Sequence, residues 1–121
     1  MLEVKFITTF TAADLCNIFT TAFEGGSNYW IDSVEPLSDV PPGDVVWWGR
    51  YQFWDNPNLM FSITDDEGNT HVIRLKEIQA GLDHAAEAYP SHFSDFVSGD
   101  WDAETMDVFV QCITFKDIIY G

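Results

Sequence analysis

Two short β-rich segments joined by a polar loop constrain the fold of this chain more than any other feature. Residues 59–64 and 70–75 flank the loop Asp65-Asp-Glu-Gly-Asn69. A short loop of Asp, Gly and Asn between two such segments is typical of a β-hairpin. The next residues, 76–89, carry apolar side chains at helical spacing and stop before Pro90. An antiparallel pair followed directly by a helix indicates an α+β fold.

Two more helices are predicted on either side of this unit. The first covers residues 12–24, with Thr11 as its N-cap. Gly25 and Gly26 are its expected stop, because glycine tolerates the left-handed conformation that follows many helices. The last helix begins after its cap, Asp102, and the pattern stays apolar to the C-terminus. We therefore expect the C-terminal segment to dock against the rest of the protein.

The other β-rich segments predict three further strands, over residues 2–8, 28–35 and 44–54. A loop rich in Pro and Gly separates the last two of them. Residues 91–97 predict one or two additional helical turns. Together these elements predict a single domain over residues 1–121, with an antiparallel sheet and about three helices packed on one of its faces.

Acidic residues greatly outnumber basic ones. The chain has 20 Asp and Glu against 5 Lys and Arg, a formal net charge of −15, while 46% of its residues are hydrophobic. Five cations cannot form a basic face, so direct binding to nucleic acid is excluded as a function class. Three interpretations of the acidity stay open: solubility or residence in high salt, cation binding, and mimicry of DNA, which presents one negative charge per roughly 1.7 Å of duplex.

The acidic residues that could form such a surface fall into two groups. The first is the predicted hairpin loop, and the second surrounds the start of the last helix. We predict that both groups bind a protein partner through its basic nucleic-acid-binding surface. An acidic first turn also complements the helix dipole, so a structural role of the second group stays open. The eight residues are Asp65, Asp66, Glu67, Asp95, Asp100, Asp102, Glu104 and Asp107.

No motif for catalysis is found in the sequence. It lacks a P-loop, the pattern G-x-G-x-x-G and the nucleophile pattern G-x-S-x-G. His84 with Glu87, and His92 with Asp95, have ligand spacing on a helix, but a metal site needs three or four converging ligands. We therefore expect no catalytic residues, no metal, no cofactor and no enzymatic activity. An enzyme whose site is not recognised in the sequence is kept as a further hypothesis.

Aromatic residues offer an alternative mode of binding. Trp47 and Trp48 would point to opposite faces of a strand over residues 44–54, so one of them would be exposed. An exposed Trp suits a protein interface. The alternative function is therefore a non-catalytic interaction module that uses this aromatic patch, with the acidity serving solubility. A homodimer also stays open.

The expected compartment is the cytoplasm. The first ten residues lack the basic and apolar regions of a signal peptide, and no apolar stretch approaches the length of a membrane span, so we expect no membrane partner. Cys16 and Cys112 each lie in an apolar helical pattern, where a free Cys behaves as a small hydrophobic residue. This pattern favours a reduced protein.

Both ends of the chain resemble one protein family. The patterns T-A-x-E-G-G-x-x-Y-W, ending at Trp30, and F-x-x-I-x-Y-G, ending at Gly121, are similar to small acidic proteins of bacteriophages and other mobile elements. The residues that carry the first pattern are Glu24, Gly25, Gly26, Tyr29 and Trp30. The family has no assigned activity, so the resemblance implies a setting, in a viral or plasmid genome, and no residue roles.

Small acidic proteins from that setting are often inhibitors of host defence, including anti-CRISPR and antirestriction proteins that mimic DNA. The resemblance and the charge together predict inhibition of a host nucleic-acid-binding defence complex in the host cytoplasm.

One residue of the first pattern is also unusual by itself. Glu24 lies at a helix C-terminus, where its charge opposes the helix dipole, so we expect it to have another role, such as accepting a hydrogen bond from the backbone or from a donor on the side of Tyr29.

Overall fold

Three β-strands and five α-helices form in residues 1–4 and 7–121, the part of the chain that this computed structural model describes. The strands are β1 (Ile31–Pro36), β2 (Met60–Asp65) and β3 (Thr70–Arg74), and they form an antiparallel sheet in the order β1-β2-β3. The structure confirms the α+β class, the hairpin and the strand predicted after residue 28.

The helices are more numerous than the sequence patterns indicated. They are α1 (Ala12–Thr21), α2 (Tyr51–Trp54), α3 (Leu75–Ala88), α4 (Pro90–Ser98) and α5 (Ala103–Phe115). A π-helical turn, Ala22–Gly26, extends α1, and a 3-10 turn, Trp47–Gly49, precedes α2. The expected number of about three was too low for two reasons. The segment around α2 was predicted as a strand, and α4 is a full helix that starts with Pro90 in its first turn.

The sheet register places the core on one face. Phe61 of β2 pairs with Ile73 of β3, and Ile63 pairs with His71. Phe61, Ile63 and Ile73 are buried, whereas Val72, on the opposite face of β3, is 42% exposed. This alternation is the pattern of an antiparallel sheet that covers the core with one face.

The start of α1 follows its predicted chemistry, and its end has the predicted position but not the predicted backbone conformation. The Thr11 hydroxyl accepts a hydrogen bond from the Asp14 amide at 3.1 Å, and the Thr11 amide donates to the Asp14 carboxylate at 2.8 Å. This reciprocal pair is a capping box. The helical stretch ends at Gly26, as predicted, but neither Gly25 nor Gly26 is left-handed, so the expected conformation at the stop was wrong. Gly26 is needed for packing, because a Cβ there would lie 2.7 Å from the Ala103 carbonyl oxygen.

The strand predicted over residues 44–54 was wrong. Arg50 donates hydrogen bonds from its guanidinium to the carbonyl oxygens of Pro41, Gly43 and Val45 and so folds the preceding loop back on itself. The 3-10 turn and α2 that flank Arg50 direct Trp47, Phe53 and Trp54 into the core together. A strand sends successive side chains to opposite faces and cannot bury the adjacent residues 53 and 54 on one side.

The strand predicted over residues 2–8 is also not observed. Residues 2–4 and 7–8 have no regular secondary structure, and the remainder of that prediction, at residues 5 and 6, lies outside the described residues. Phe10, which follows this segment, packs against α4. Its ring stacks on Phe96 of α4 at 5.0 Å between ring centroids, which holds the segment beside α4.

The core joins α1, α2, α5 and the inner face of the sheet in one hydrophobic cluster, whose aromatic part lies between α1, α2 and β2. Phe19 stacks on Trp54 with ring centroids 4.6 Å apart, and Phe61 meets both rings edge-on. Helices α3 and α5 pack closely at Gly81, where a Cβ would lie 2.3 Å from the Cα of Ile113. Large aromatic side chains contribute most of the apolar area that a small core buries.

Candidate functional site

Most of the carboxylates lie on the surface without a cationic partner. Sixteen of the 20 acidic residues are exposed, two are half-buried and two are buried. Within the described part of the chain, the single contact between a Lys or Arg and a carboxylate joins Lys76 and Glu77 at 3.9 Å. The exposed carboxylates are therefore available to cations supplied by a partner.

The structure divides the eight predicted acidic residues into two sets. Six are exposed and form what we call the acidic surface: Asp66, Glu67, Asp95, Asp100, Asp102 and Glu104. The other two, Asp65 and Asp107, are 3% and 7% exposed, so their prediction as surface residues was wrong. Both carboxylates are occupied by hydrogen bonds within the protein, which is the usual condition for a buried charge.

Asp65 shapes the hairpin loop. Its carboxylate lies 2.9 Å from Nε2 of His71 and accepts hydrogen bonds at 3.0 Å from the amides of Glu67 and Asn69. The hydrogen bond with His71 is the main reason that the pKa of Asp65 lies below its usual value. Asp65 thus closes the loop from inside and leaves its neighbours Asp66 and Glu67 in solvent.

Asp107 is the centre of a buried polar cluster. One carboxylate oxygen accepts hydrogen bonds from the Ser27 hydroxyl at 2.7 Å and the Trp30 indole at 2.8 Å. The other accepts from the Tyr29 hydroxyl at 2.5 Å and the Gln111 amide at 3.0 Å. We call these five residues the Asp107 site. Four neutral donors compensate for the loss of water around a carboxylate that has no cationic partner here.

Gln111 connects the Asp107 site to the C-terminal segment. Its side-chain oxygen accepts hydrogen bonds at 2.8 Å from the amides of Ile119 and Tyr120. The Tyr120 ring stacks on Trp30 at 5.6 Å between centroids, with 5° between the ring planes. Its hydroxyl donates to Asp66 at 3.0 Å. The C-terminal segment is therefore docked, as predicted, and it contacts the acidic surface directly.

Two tyrosines of this region keep their protons to unusually high pH. Burial of its hydroxyl, followed by the hydrogen bond to Asp107, raises the pKa of Tyr29 to about 12, and the charge of Glu104 adds to the effect. Burial and the hydrogen bond to Asp66 likewise raise the pKa of Tyr120 to about 12. Both hydroxyls therefore remain hydrogen-bond donors at neutral pH.

One short segment links the two groups of the acidic surface. At one end, Gly26 packs against Ala103, which lies between Asp102 and Glu104. At the other end, Ile31 pairs with Asp65, next to Asp66 and Glu67. Residues 26–31 span at most about 18 Å when fully extended. The points where this segment meets the hairpin and α5 therefore lie at most about 18 Å apart.

The two motifs that carry the family resemblance meet at the Asp107 site. Tyr29 and Trp30 donate to Asp107, and Gly26 permits the close approach of α5. Phe115 packs on Trp30 with centroids 5.2 Å apart. Gly25 has no atom within 4 Å of a Cβ built on it. Most of the motif residues thus have a structural role.

The structure changes the prediction of an exposed aromatic patch at Trp47 and Trp48. Trp47 is 9% exposed and packs on Phe53 with centroids 4.8 Å apart, so it belongs to the core. Trp48 is half-buried, and its indole donates to Glu24 at 2.7 Å. The expected arrangement, with the two rings on opposite faces of a strand, was wrong because the segment is a 3-10 turn. Glu24 thus accepts a hydrogen bond, but its donor is Trp48 and not the backbone or Tyr29-side group given as the example.

The described residues contain no group of three or more His, Cys, Asp and Glu side chains placed to hold a metal ion. His92 contacts the Thr105 hydroxyl at 3.1 Å, and the closest carboxylate contact of His84 is Asp117 at 3.8 Å. Cys112 is a free thiol whose pKa is raised to about 12 by burial, so it is protonated at neutral pH. None of the helices in residues 1–4 and 7–121 is long and apolar enough to cross a bilayer.

The buried Asp107 site is the feature that sequence reasoning missed. A signal for it exists, because Asp107 and Gln111 interrupt the apolar run of α5 at a spacing of four residues. Residues four apart lie on the same face of a helix. Two polar side chains on a face that is otherwise apolar need polar partners from elsewhere in the chain, and Ser27, Tyr29 and Trp30 supply them.

Comparison with known proteins returns no relative. No family model matches the chain, and neither a curated protein nor a solved structure is significantly similar to it.

Proposed function

We propose that this protein inhibits a host nucleic-acid-binding defence complex, of the anti-CRISPR or antirestriction type, by mimicking DNA with its acidic surface. The observation that carries the proposal is the exposure of sixteen carboxylates with almost no cationic partners in the described chain. Self-repulsion of these charges opposes folding. A basic groove of a partner relieves that repulsion and releases the counterions that both surfaces hold.

The acidic surface carries the sign of charge that a DNA-binding groove accepts. The segment that links its two groups spans at most about 18 Å, a length over which duplex DNA presents on the order of ten phosphates. The six carboxylates of the acidic surface are joined there by Glu24, which is also exposed and precedes Gly26 by two residues. A groove that binds a few base pairs of duplex is therefore a suitable partner in size and charge.

Several of these carboxylates are held in place. Tyr120 donates to Asp66, the Thr105 amide donates to Asp102 at 3.0 Å, and the Ser98 hydroxyl donates to Asp100 at 3.3 Å. A charge that is already oriented loses less side-chain entropy on binding. This order favours a specific binding surface over an acidity that serves solubility alone.

The aromatic interaction module is the weaker proposal. Its central residue, Trp47, lies in the core, and the Trp48 indole is engaged by Glu24. A hot spot needs side chains that a partner can cover. The structure offers no such Trp pair in the described residues, and the acidic surface remains the better supported site.

The first experiment identifies the target and the mode of binding together. Tagged protein is incubated with a lysate of bacteria that carry restriction and CRISPR systems, and the bound material is eluted with duplex DNA or with rising salt. We expect recovery of a nucleic-acid-binding complex whose nuclease activity is blocked when the purified proteins are mixed. A partner that stays bound through both elutions would contradict DNA mimicry.

The second experiment locates the binding surface. The triple variant Asp66→Asn, Asp95→Asn and Glu104→Gln removes three charges from the acidic surface. The matched control, Glu35→Gln, Asp39→Asn and Asp55→Asn, removes three exposed charges elsewhere. With exposed pairs contributing up to about 1 kcal/mol each, we expect the first variant to bind the target about tenfold more weakly. Equal losses in both variants would show that only net charge matters.

A further inference from the structure

An open apolar groove lies between α3, α4 and residues 7–10. Its volume is about 1320 Å³. Small-molecule pockets typically measure about 300–1,000 Å³, so this groove has the size of a site for a peptide segment. Its main apolar lining residues are Ile7, Leu15, Ile78, Leu82, Phe93 and Val97.

The groove has a buried floor and an exposed apolar rim. Ile78 and Leu82 of α3 form the floor and are 3% and 6% exposed. Val97 of α4 and Ile7 stand at the edge and are 57% and 95% exposed. Apolar side chains left in water around a concave surface mark an interaction site more often than scattered exposed residues do.

Charge complementarity indicates what occupies the groove. Asp83 and Glu87 lie four residues apart on α3 and line the groove beside its apolar floor. The described lining contains no Lys or Arg. A second copy of this chain would bring another formal charge of −15 to this rim, and its repulsion disfavours that occupant.

We infer that the groove binds an amphipathic helix of a partner protein, with apolar residues on one face and Lys or Arg beside them. The apolar face covers Leu82 and Val97, and the cations meet Asp83 and Glu87. Helix α3 has 14 residues, a length of about 21 Å, which sets a similar length for the bound helix. The inference stands apart from DNA mimicry, because it needs no nucleic-acid-binding groove in the partner.

A synthetic probe tests the groove directly. The probe is a fluorescent 14-residue helix, matched to α3, with Leu on one face and Lys on the other. Its binding is followed by anisotropy at about 0.15 M salt, which screens charges more than about 8 Å apart and leaves direct ion pairs in place. We expect saturable binding that falls about tenfold or more in Val97→Asp and in Ile7→Asp. Both positions are exposed, so neither variant disturbs the core.

Matched controls separate specific docking from attraction to an acidic protein. Val72→Asp, on the exposed face of the sheet, leaves probe binding unchanged. The double variant Asp83→Asn and Glu87→Gln weakens binding of the Lys probe, whereas Asp39→Asn with Asp55→Asn does not. A probe with Glu in place of Lys binds more weakly than the Lys probe, and a scrambled probe of the same composition does not saturate.

Four results with the probe would overturn the inference. They are the absence of saturable binding, equal binding of the scrambled probe, equal binding of the Glu probe, and equal loss of binding in Val72→Asp. A dimer in sedimentation that is dissolved by Val97→Asp would assign the groove to a second copy and would also overturn it. If the wild-type protein binds the probe but binds no target that DNA displaces, the proposed function is contradicted and this inference is not.

Discussion

Glu104 and Asp107 lie three residues apart in the same helix and represent two opposite uses of a carboxylate. Glu104 belongs to the acidic surface and is exposed, whereas Asp107 is 7% exposed and accepts four hydrogen bonds. A carboxylate in water costs nothing to hydrate, while a buried one requires a complete set of donors. The carboxylates of the acidic surface are thus accessible from solvent, whereas the carboxylate of the Asp107 site stabilises the fold.

The acidic surface and the Asp107 site are connected through the chain segments between them. The Asp107 site fixes residues 27–30 and, through Gln111, the C-terminal segment. Tyr120 of that segment donates to Asp66, and Gly26 holds the start of α5 against the same stretch of chain. The buried carboxylate therefore supports the segments that contact Asp66 and the start of α5.

The largest expected effect is the loss of the Asp107 carboxylate. In Asp107→Ala the buried donors of Ser27 and Trp30 lose their acceptor, and an unsatisfied buried polar group costs about 1–3 kcal/mol. We expect the free energy of unfolding to fall by about 3–5 kcal/mol in urea titration. Glu104→Ala, three residues away, changes it by less than about 1 kcal/mol. Similar losses in both variants would remove the distinction between the two regions.

The next effect tests the contact between α5 and the turn before it. In Gly26→Ala the new Cβ would lie 2.7 Å from the Ala103 carbonyl oxygen, so the backbone of one element must shift. Such overpacking costs about 1–3 kcal/mol. The adjacent variant Gly25→Ala is the control, because nothing lies within 4 Å of its Cβ. A thermal melt in which both variants unfold at the wild-type temperature would contradict this packing.

A smaller effect concerns alkaline pH. The pKa of Tyr29 is raised to about 12 in the folded protein, above the value near 10 of an unfolded chain. The stabilisation from its protonated hydroxyl is therefore complete below about pH 10 and is lost as pH rises towards about 12.

Tyr29→Phe removes this hydrogen bond and lowers the free energy of unfolding by about 1–2 kcal/mol at neutral pH. We expect its stability to fall less than that of the wild type between about pH 9 and about pH 11, measured by urea titration at each pH. Tyr120 and Cys112 also have pKa values raised to about 12, so part of the dependence remains. An unchanged alkaline slope would show that Tyr29 is not coupled to Asp107.

The smallest effect on stability belongs to the acidic surface. Asp95→Asn together with Glu104→Gln changes the free energy of unfolding by less than about 1 kcal/mol, because both side chains are exposed. The same variant weakens binding to the DNA-eluted target. A clear loss of stability, seen by calorimetry, would indicate that the acidic surface serves the fold rather than a partner.

Much of the secondary structure could be predicted because its causes lie within a few residues. The capping box of Thr11 and Asp14, the hairpin loop closed by Asp65, and the cap of α5 at Asp102 each join residues two to four positions apart. The strand predicted over residues 44–54 failed for the opposite reason. Its β-rich composition favours a strand, but Trp47, Phe53 and Trp54 are buried together by packing against α1 and the sheet.

The sequence by itself determined the α+β class, the hairpin, the caps of α1 and α5 and an acidic chain that cannot bind nucleic acid through a basic face. Only the tertiary structure decided which carboxylates are exposed and which are buried. Asp107 looks like Glu104 along the chain, and it is buried because Ser27 and Trp30, 80 and 77 residues away, donate to it. Burial depends on such distant neighbours, since the free energy of a charge is set by the donors and the water around it.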